Sequence, residues 1–235
     1  MNHYKGNFRM NTNDNRLNAH NEIDHIFKDL LPTRNMAERP AQVALCHQML
    51  NAMLEGGIAL CDAGTGIGKT YAYLAAGTVY HRFRAASGFP VRPILISTSS
   101  IALQTAARDE YLPLLSSLLA EDGMITQPLQ AVIRKGKSHY VCDDRLERRL
   151  GQLDLRKKNW RAGNALLALR NELDMDEIAH LSHYDRERVC VPQICNCSQE
   201  TCRYRFFLEK CDSGRYLFQI CNHNLLLADA IHRGS

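Results

Sequence analysis

The sequence predicts an α/β fold, a mostly parallel sheet with helices on both faces, interrupted by a small helical, cysteine-rich insertion. Three observations carry that expectation. Short apolar runs at 57–63, 91–98, 129–134 and 216–221 alternate with helical patterns, the order that builds a parallel sheet. A glycine-rich loop, AGTGIGKT at 63–70, lies between the first run and the helix after it. Beyond Lys137 the strand pattern stops. A charged, helix-prone stretch then leads to CVPQICNCSQETC at 190–202, four thiols in thirteen residues.

Composition narrows the class. A chain of 235 residues can bury one sizeable core and carry a smaller module. With 45% hydrophobic and 23% charged residues it reads as an ordinary globular protein. No apolar run approaches the roughly 20 residues of a membrane span. The polar, Asn-rich opening MNHYKGNFRMNTNDNRLNAHN has no apolar core of a secretory signal, so a cytoplasmic location is expected and residues 1–20 read as a loose arm. The net charge of +4 permits a nucleic-acid partner without demanding one. Nine cysteines, an odd number without a signal peptide, argue against a disulfide framework. Cys46 and Cys61 lie in apolar contexts and read as core residues.

Residues 22–31, EIDHIFKDLL, read as a short amphipathic helix ended by Pro32. Residues 41–54 read as a helix with Pro40 in its first turn, stopped by Gly56-Gly57. GIALCDA at 57–63 reads as a buried strand feeding the loop. A helix at 69–84 and a buried strand at 91–98 follow. Residues 100–119 are mostly helical, with a break at Pro113, and LQAVIR at 129–134 is the next strand. Residues 143–188 are helical without a clear strand, 203–210 is helical again, and YLFQIC at 216–221 returns as a strand.

The loop has a specific chemistry. Ala63-Gly64-Thr65-Gly66-Ile67-Gly68-Lys69-Thr70 fits a Walker A phosphate loop. The three glycines let the backbone curl so that its N–H groups face phosphate oxygens. Lys69 is placed to reach the β and γ phosphates, and Thr70 to offer its hydroxyl to Mg²⁺. The helix that begins there adds positive field. ATP and Mg²⁺ are therefore the expected ligands, with Lys69 and Thr70 as the catalytic pair.

Walker A alone does not choose among nucleotide enzymes. Taken with ILISTSSIALQTA at 94–106, RKGKSHYVCDDRL at 134–146, the thiol group and QICNHNLLLAD at 219–229, it resembles the DinG/XPD-like superfamily 2 DNA helicases over about residues 38–235. That resemblance implies a RecA-like motor lobe, ATP-driven 5′-to-3′ translocation on single-stranded DNA, and in many members a [4Fe–4S] cluster. It implies that Gln42 in Arg39-Pro-Ala-Gln42 reads the adenine edge, which suits an amide that both donates and accepts. It places Thr98 and Ser99, with Gln104 further on, against DNA phosphates, where such contacts position without reading sequence. A helix cap accounts equally well for the hydroxyls at Ser99 and Ser100. His223, in Asn222-His223-Asn224, is expected to be a satisfied core histidine.

Gly136-Lys137-Ser138-His139-Tyr140-Val141-Cys142 resembles the segment holding the family's first cluster ligand. Cys142 and Cys202 are accordingly the firmest ligands, and two of Cys190, Cys195 and Cys197 complete the set. Four thiolates hold zinc as readily as a [4Fe–4S] cube, so Zn²⁺ stays open. The chain has no CxxC knuckle of the kind compact zinc sites use. Cys211 and Cys221 are not expected as ligands. The stretch 190–202 is poor in apolar residues, so the insertion is expected to depend on its metal centre for folding.

Between Arg134 and Arg161 lie ten basic residues against four acidic ones. Arg145, Arg148, Arg149 and Lys157 are the candidate DNA contacts of the insertion. Tyr140, Trp160 and Tyr204 are suited to stack on bases or to form the module's core. No Asp-Glu-Ala-His box appears. The expected organisation is an arm and short helix at 1–37, the first part of motor domain 1 at 38–137, the insertion at 138–214 and a return strand at 215–235, stopping before Walker B. Such a piece is expected to be inactive by itself, its parent acting as a monomer on single-stranded or forked DNA and not on membranes. Two other readings remain: a P-loop ATPase with a zinc-binding regulatory insertion, and a DNA-binding module without motor activity.

Overall fold

The computed structural model describes residues 12–153, 160–195, 197, 200 and 202–233. Its helices are α1 (Thr12–His25), α2 (Pro40–Glu55), α3 (Lys69–Ala86), α4 (Ile101–Ala106), α5 (Leu112–Glu121), α6 (Asp143–Gln152), α7 (Trp160–Ala168), α8 (His183–Val189), α9 (Arg203–Asp212) and α10 (His223–Arg233). Its strands are β1 (Ile94–Ser97), β2 (Ala131–Arg134) and β3 (Phe218–Cys221), paired in the order β1-β3-β2. Among the described residues no helix is long and apolar enough to cross a membrane.

The chain forms two compact units. The first gathers the described residues of Met1–Leu95, Ile101–Val132 and Tyr216–Gln219. Pro40 opens α2, where a missing N–H costs nothing, and Gly56 ends it in the left-handed region at φ +66°, its N–H bonded to the Ala52 carbonyl oxygen. Small residues Ala72, Ala75 and Ala76 on α3 let neighbouring helices pack closely. Gly77 is the tightest point: a Cβ there would lie 2.7 Å from Cε1 of Phe218. The expected arm differs. Residues 12–20 already belong to α1, because Ala19, Ile23, Ile26 and Phe27 give this segment a buried stripe, and Arg82 on α3 clamps Glu22 with two hydrogen bonds of 2.8 and 2.9 Å. Residues 1–11 lie outside the described set.

The sheet is parallel and mixed with helices, as the alternation predicts. The Ile94 N–H donates to the Leu217 carbonyl oxygen at 2.8 Å and the Thr98 N–H to that of Cys221 at 3.0 Å. On the other side the Leu217 N–H donates to the Gln130 carbonyl oxygen at 2.9 Å. β3 is buried throughout. The break expected near Pro113 is a π-helical turn at Ala107–Tyr111 that delivers Pro113 to the first turn of α5.

The strand expected at 57–63 does not form. Ile58 is 93% exposed and Leu60 97% exposed, and neither belongs to the ladder. Apolarity makes burial favourable, but a strand also needs a neighbour for its N–H and C=O groups, and β1, β3 and β2 pair among themselves. Cys61, expected in the core, is half-buried instead and donates to Gln48 Oε1 at 3.7 Å.

The second unit gathers the described residues of Ile96–Ser100, Ile133–Arg215 and Ile220–Ser235. It has a core of its own, contrary to the expectation that metal must supply one. Leu146 and Leu150 of α6, Leu166 and Leu169, Met175 and Val189 bury together with Val141. Full burial of each such side chain is worth about 1.5–3 kcal/mol. A second cluster joins Tyr140, Cys142 and Val191, with Tyr204 and Phe207 of α9 packed against it. The Tyr140 ring lies 5.1 Å from both aromatic rings, so Tyr140 and Tyr204 serve the core rather than standing free. Lys157 and its neighbours at 154–159 lie outside the described residues, as does the side chain of Trp160.

Candidate nucleotide loop and thiol cluster

Gly66 and Gly68 take φ of +80° and +89°, which L side chains rarely adopt. This curls 63–68 over the start of α3, and Gly68 caps that helix without any side-chain acceptor. The first N–H groups of α3 are thus not capped by a side chain, the arrangement that favours an anion. Lys69 folds back: its Nζ donates to the carbonyl oxygens of Ala63 at 2.9 Å and Gly64 at 2.8 Å. Two residues of the preceding segment hold the loop from the α2 side. Gln42, only 6% exposed, donates through Nε2 to the Gly68 carbonyl oxygen at 2.7 Å. Arg39 donates through Nη1 to that of Gly66 at 2.5 Å. Sequence reasoning missed Arg39; its place one helical turn before Gln42 was the available signal. Thr70 is hydrogen-bonded to Tyr73, whose hydroxyl is pushed up mainly by burial. Ile67 is half-buried, while Gly64 and Thr65 are exposed.

The other predicted contacts fall in several surroundings. The Ser100 N–H donates to Thr98 Oγ1 at 3.3 Å, so this hydroxyl closes a local turn. Ser99 is exposed. Gln104 is buried on α4, with its side chain withdrawn from solvent. His223 is exposed rather than in the core: it opens α10, and its Nδ1 meets Ser97 Oγ at 2.7 Å. Asn222 Oδ1 accepts from the Leu225 N–H at 2.7 Å and caps α10.

Three candidate thiols come together. Cys197 is hydrogen-bonded to both Cys195 and Cys142. The Cys195 thiol is held below its ordinary range, first by the Cys197 backbone N–H, then by the Cys197 side chain, with smaller help from Arg205 and Lys137. Cys197 is pushed up to about 12, first by its bond to Cys195 and then by burial. Cys190 is brought alongside by the antiparallel bridge Val141↔Cys190 and by the Cys142 N–H, which donates to the Val189 carbonyl oxygen at 2.8 Å. Arg145 Nη1 lies 3.2 Å from the Cys190 carbonyl oxygen and 3.9 Å from its sulfur. Cys202 sits at the N-cap of α9. Among the described residues, no group of three or more His, Cys, Asp or Glu is arranged to hold a metal ion. Cys211 and Cys221 are buried elsewhere.

Of the basic residues proposed for DNA, Arg148 pairs with Asp144 and Arg149 Nε with Asp185 Oδ1 at 2.8 Å. Asp185 is 4% exposed, so Arg149 is committed to a buried carboxylate.

No family model matches the chain. Individual relatives do. It is 36% identical over 121 residues to "ATP-dependent DNA helicase YoaA" of Escherichia coli, covering 52% of this chain and 15% of that protein. It is 28% identical over 130 residues to "ATP-dependent DNA helicase DinG" of Photobacterium profundum, covering 55% and 16%. It is 30% identical over 117 residues to "3'-5' exonuclease DinG" of Bacillus subtilis, covering 50% and 11%. The matched segment is thus a small part of each relative. Over about half its length the chain is similar to the DinG and YoaA group of proteins, the relationship its motifs imply, while spanning less than a fifth of each of these relatives.

Proposed function

We propose that this chain is the nucleotide-loop lobe, with a cysteine-bearing insertion, of an ATP-dependent helicase that moves 5′ to 3′ on single-stranded or forked DNA. The observation that supports it most is the loop at 63–70, held from behind by Gln42 and Arg39 and open at the start of α3. Residues 38–137 and 215–235 are assigned to a RecA-like motor lobe and 138–214 to the insertion. The parent acts as a monomer in the cytoplasm.

In this reading the loop N–H groups take the phosphates of ATP. Lys69 leaves the Ala63 and Gly64 carbonyl oxygens to meet the γ-phosphate, and Thr70 leaves Tyr73 to meet Mg²⁺. Gln42 presents its amide to adenine. Thr98 and Ser99 take DNA phosphates. The thiols suit a soft metal centre in kind, Cys197 interacting with Cys195 and with Cys142, and Cys190 lying alongside Cys142, although the described residues do not group three of them around one ion. A [4Fe–4S] cluster held by Cys142 with thiols of 190–202 would cross-link the two segments. Zn²⁺ suits the same thiolates.

The test is direct. The purified chain should bind a fluorescent ATP analogue with Mg²⁺, and Lys69→Ala should weaken that binding, since a hydrogen bond to a charged group is worth about 1.5–3 kcal/mol. Iron, sulfide and zinc analysis after anaerobic purification reads the centre. No analogue binding in the wild type removes the nucleotide assignment, and stoichiometric zinc replaces the cluster.

A further inference from the structure

Of the three α6 arginines that composition singles out, Arg148 and Arg149 meet carboxylates and Arg145 the Cys190 carbonyl oxygen, while α8 carries an exposed arginine without a carboxylate partner among the described residues. Helix α8 carries His183, Tyr184, Asp185, Arg186, Glu187 and Arg188. Asp185 is taken by Arg149 and by Ser182 Oγ at 2.7 Å. Arg186 Nη1 is taken by Asp176 at 2.7 Å. Glu187 faces His183 at 3.7 Å. Arg188 pairs with no carboxylate among the described residues; its Nη1 donates only to the Tyr184 carbonyl oxygen, at 3.3 Å. Its guanidinium lies over the Tyr184 ring, with the central carbon 3.4 Å from the ring centroid. Tyr184 is 53% exposed. Arg149, fixed by the buried Asp185, lies 5.3 Å from the same ring and holds it in place.

We propose that Tyr184 and Arg188 form a contact site for single-stranded nucleic acid on the exposed face of α8, a base extending the Arg188–Tyr184 stack and an adjacent phosphate accepting from Arg188. The site rests on the DNA-binding reading above and moves its contact from α6 to α8. A planar guanidinium held on an aromatic ring leaves its other face free for a base. The N–H groups other than the one given to the Tyr184 carbonyl oxygen stay in the plane and can meet phosphate oxygens. An ammonium group supplies the charge without the plane, so lysine separates the two contributions. Arg148 cannot serve in the same way without giving up Asp144.

The experiment is fluorescence anisotropy of a labelled oligothymidine with the whole chain over a range of salt, for wild type, Tyr184→Ala, Tyr184→Phe, Arg188→Ala, Arg188→Lys and Arg148→Ala. Both positions are exposed, so thermal midpoints should not move. Tyr184→Ala should weaken binding roughly tenfold with an unchanged salt slope, and Tyr184→Phe should keep wild-type affinity. Arg188→Ala should weaken binding and lower the slope of log K against log salt by about 0.7, while Arg188→Lys keeps the slope and loses affinity. Wild-type affinity in both alanine variants overturns the site and leaves the DNA reading standing. So does an Arg148→Ala loss as large as that of Arg188→Ala. A wild-type chain that does not bind oligothymidine overturns the DNA reading and the site together.

Discussion

Gln42 donates through Nε2 to the carbonyl oxygen of Gly68 at 2.7 Å, and a Cβ at Gly68 would lie 2.2 Å from that same nitrogen. Residue 68 must therefore lack a side chain twice over, once for its φ of +89° and once for the amide behind it. Gly68→Ala meets left-handed strain of about 1–2 kcal/mol before the clash is counted, so affinity for an ATP analogue should fall by about tenfold or more. The double variant with Gln42→Ala removes the clash and keeps the strain. Because Gln42 is also the proposed adenine contact, the double variant is read by the thermal midpoint of the nucleotide-free chain: it should recover part of the stability that Gly68→Ala loses, and recovery of none would show that backbone conformation alone sets the loop.

Gly77→Ala tests the packing of α3 on β3. The new methyl group would sit 2.7 Å from the Phe218 ring, which is fully buried. Overpacking of this kind costs about 1–3 kcal/mol. Denaturant unfolding should show that loss, and adding Phe218→Leu should restore part of it. Additive losses in the double variant would mean that the two sites do not share space.

Cys142→Ser should leave most of the insertion folded. The buried set Leu146, Leu150, Leu166, Leu169, Met175 and Val189 does not use a thiol. Far-UV circular dichroism should change little, and limited proteolysis should open first near 190–202. Digestion throughout 138–214 at the same rate would show that the apolar core cannot stand without its thiol neighbours.

Asp176 tests the charge network behind the first candidate cysteine segment. Burial alone would raise its carboxyl. Hydrogen bonds from Lys135 at 2.8 Å, Arg186 at 2.7 Å and His139 at 2.9 Å instead hold it well below the usual carboxylate range. A carboxylate depressed by folding contributes stability above its unfolded value, near 3.9, and loses it as pH falls further. Asp176→Asn should cost about 1–3 kcal/mol at neutral pH, toward the lower end because the side chain is 33% exposed. The gap between the two melting curves should begin to narrow below about pH 4 and go on closing as the pH falls toward the depressed folded value. A gap independent of pH would assign the loss to packing.

The phosphate loop was legible because each residue type in it answers a backbone or charge requirement. Gly66 and Gly68 have the positive φ that their place in the motif demands. The strands at 94–97, 131–134 and 218–221 were legible as short apolar runs. The run at 57–63 looked the same, yet Ile58 and Leu60 face solvent, because periodicity reports a preference for burial and not the presence of a ladder partner. The α6 arginines failed for a similar reason. A count of charges does not show that Arg149 meets Asp185, 36 residues away, and only the Asp144–Arg148 pair, four residues apart on one helix, was readable in advance. The insertion core was hidden by attention to the thiol-rich stretch alone. Leu146 and Leu150 lie four residues apart on α6, and Leu166 and Leu169 three apart at and just past the end of α7, well upstream of that stretch in sequence.

The lead at 57–62, which joins no strand ladder, also bears on the calorimetry of this chain. The phosphate loop is anchored behind by Arg39 and Gln42 and ahead by α3, but its upstream attachment makes no strand ladder. A ligand that stiffens the loop must also restrict the residues leading into it, at about 1–2 kcal/mol of entropy for each backbone unit fixed. Titration with an ATP analogue should therefore be enthalpy-driven and opposed by entropy. Shortening that lead's freedom, for instance with Gly57→Ala where the backbone is not left-handed, should tighten binding through the entropy change alone.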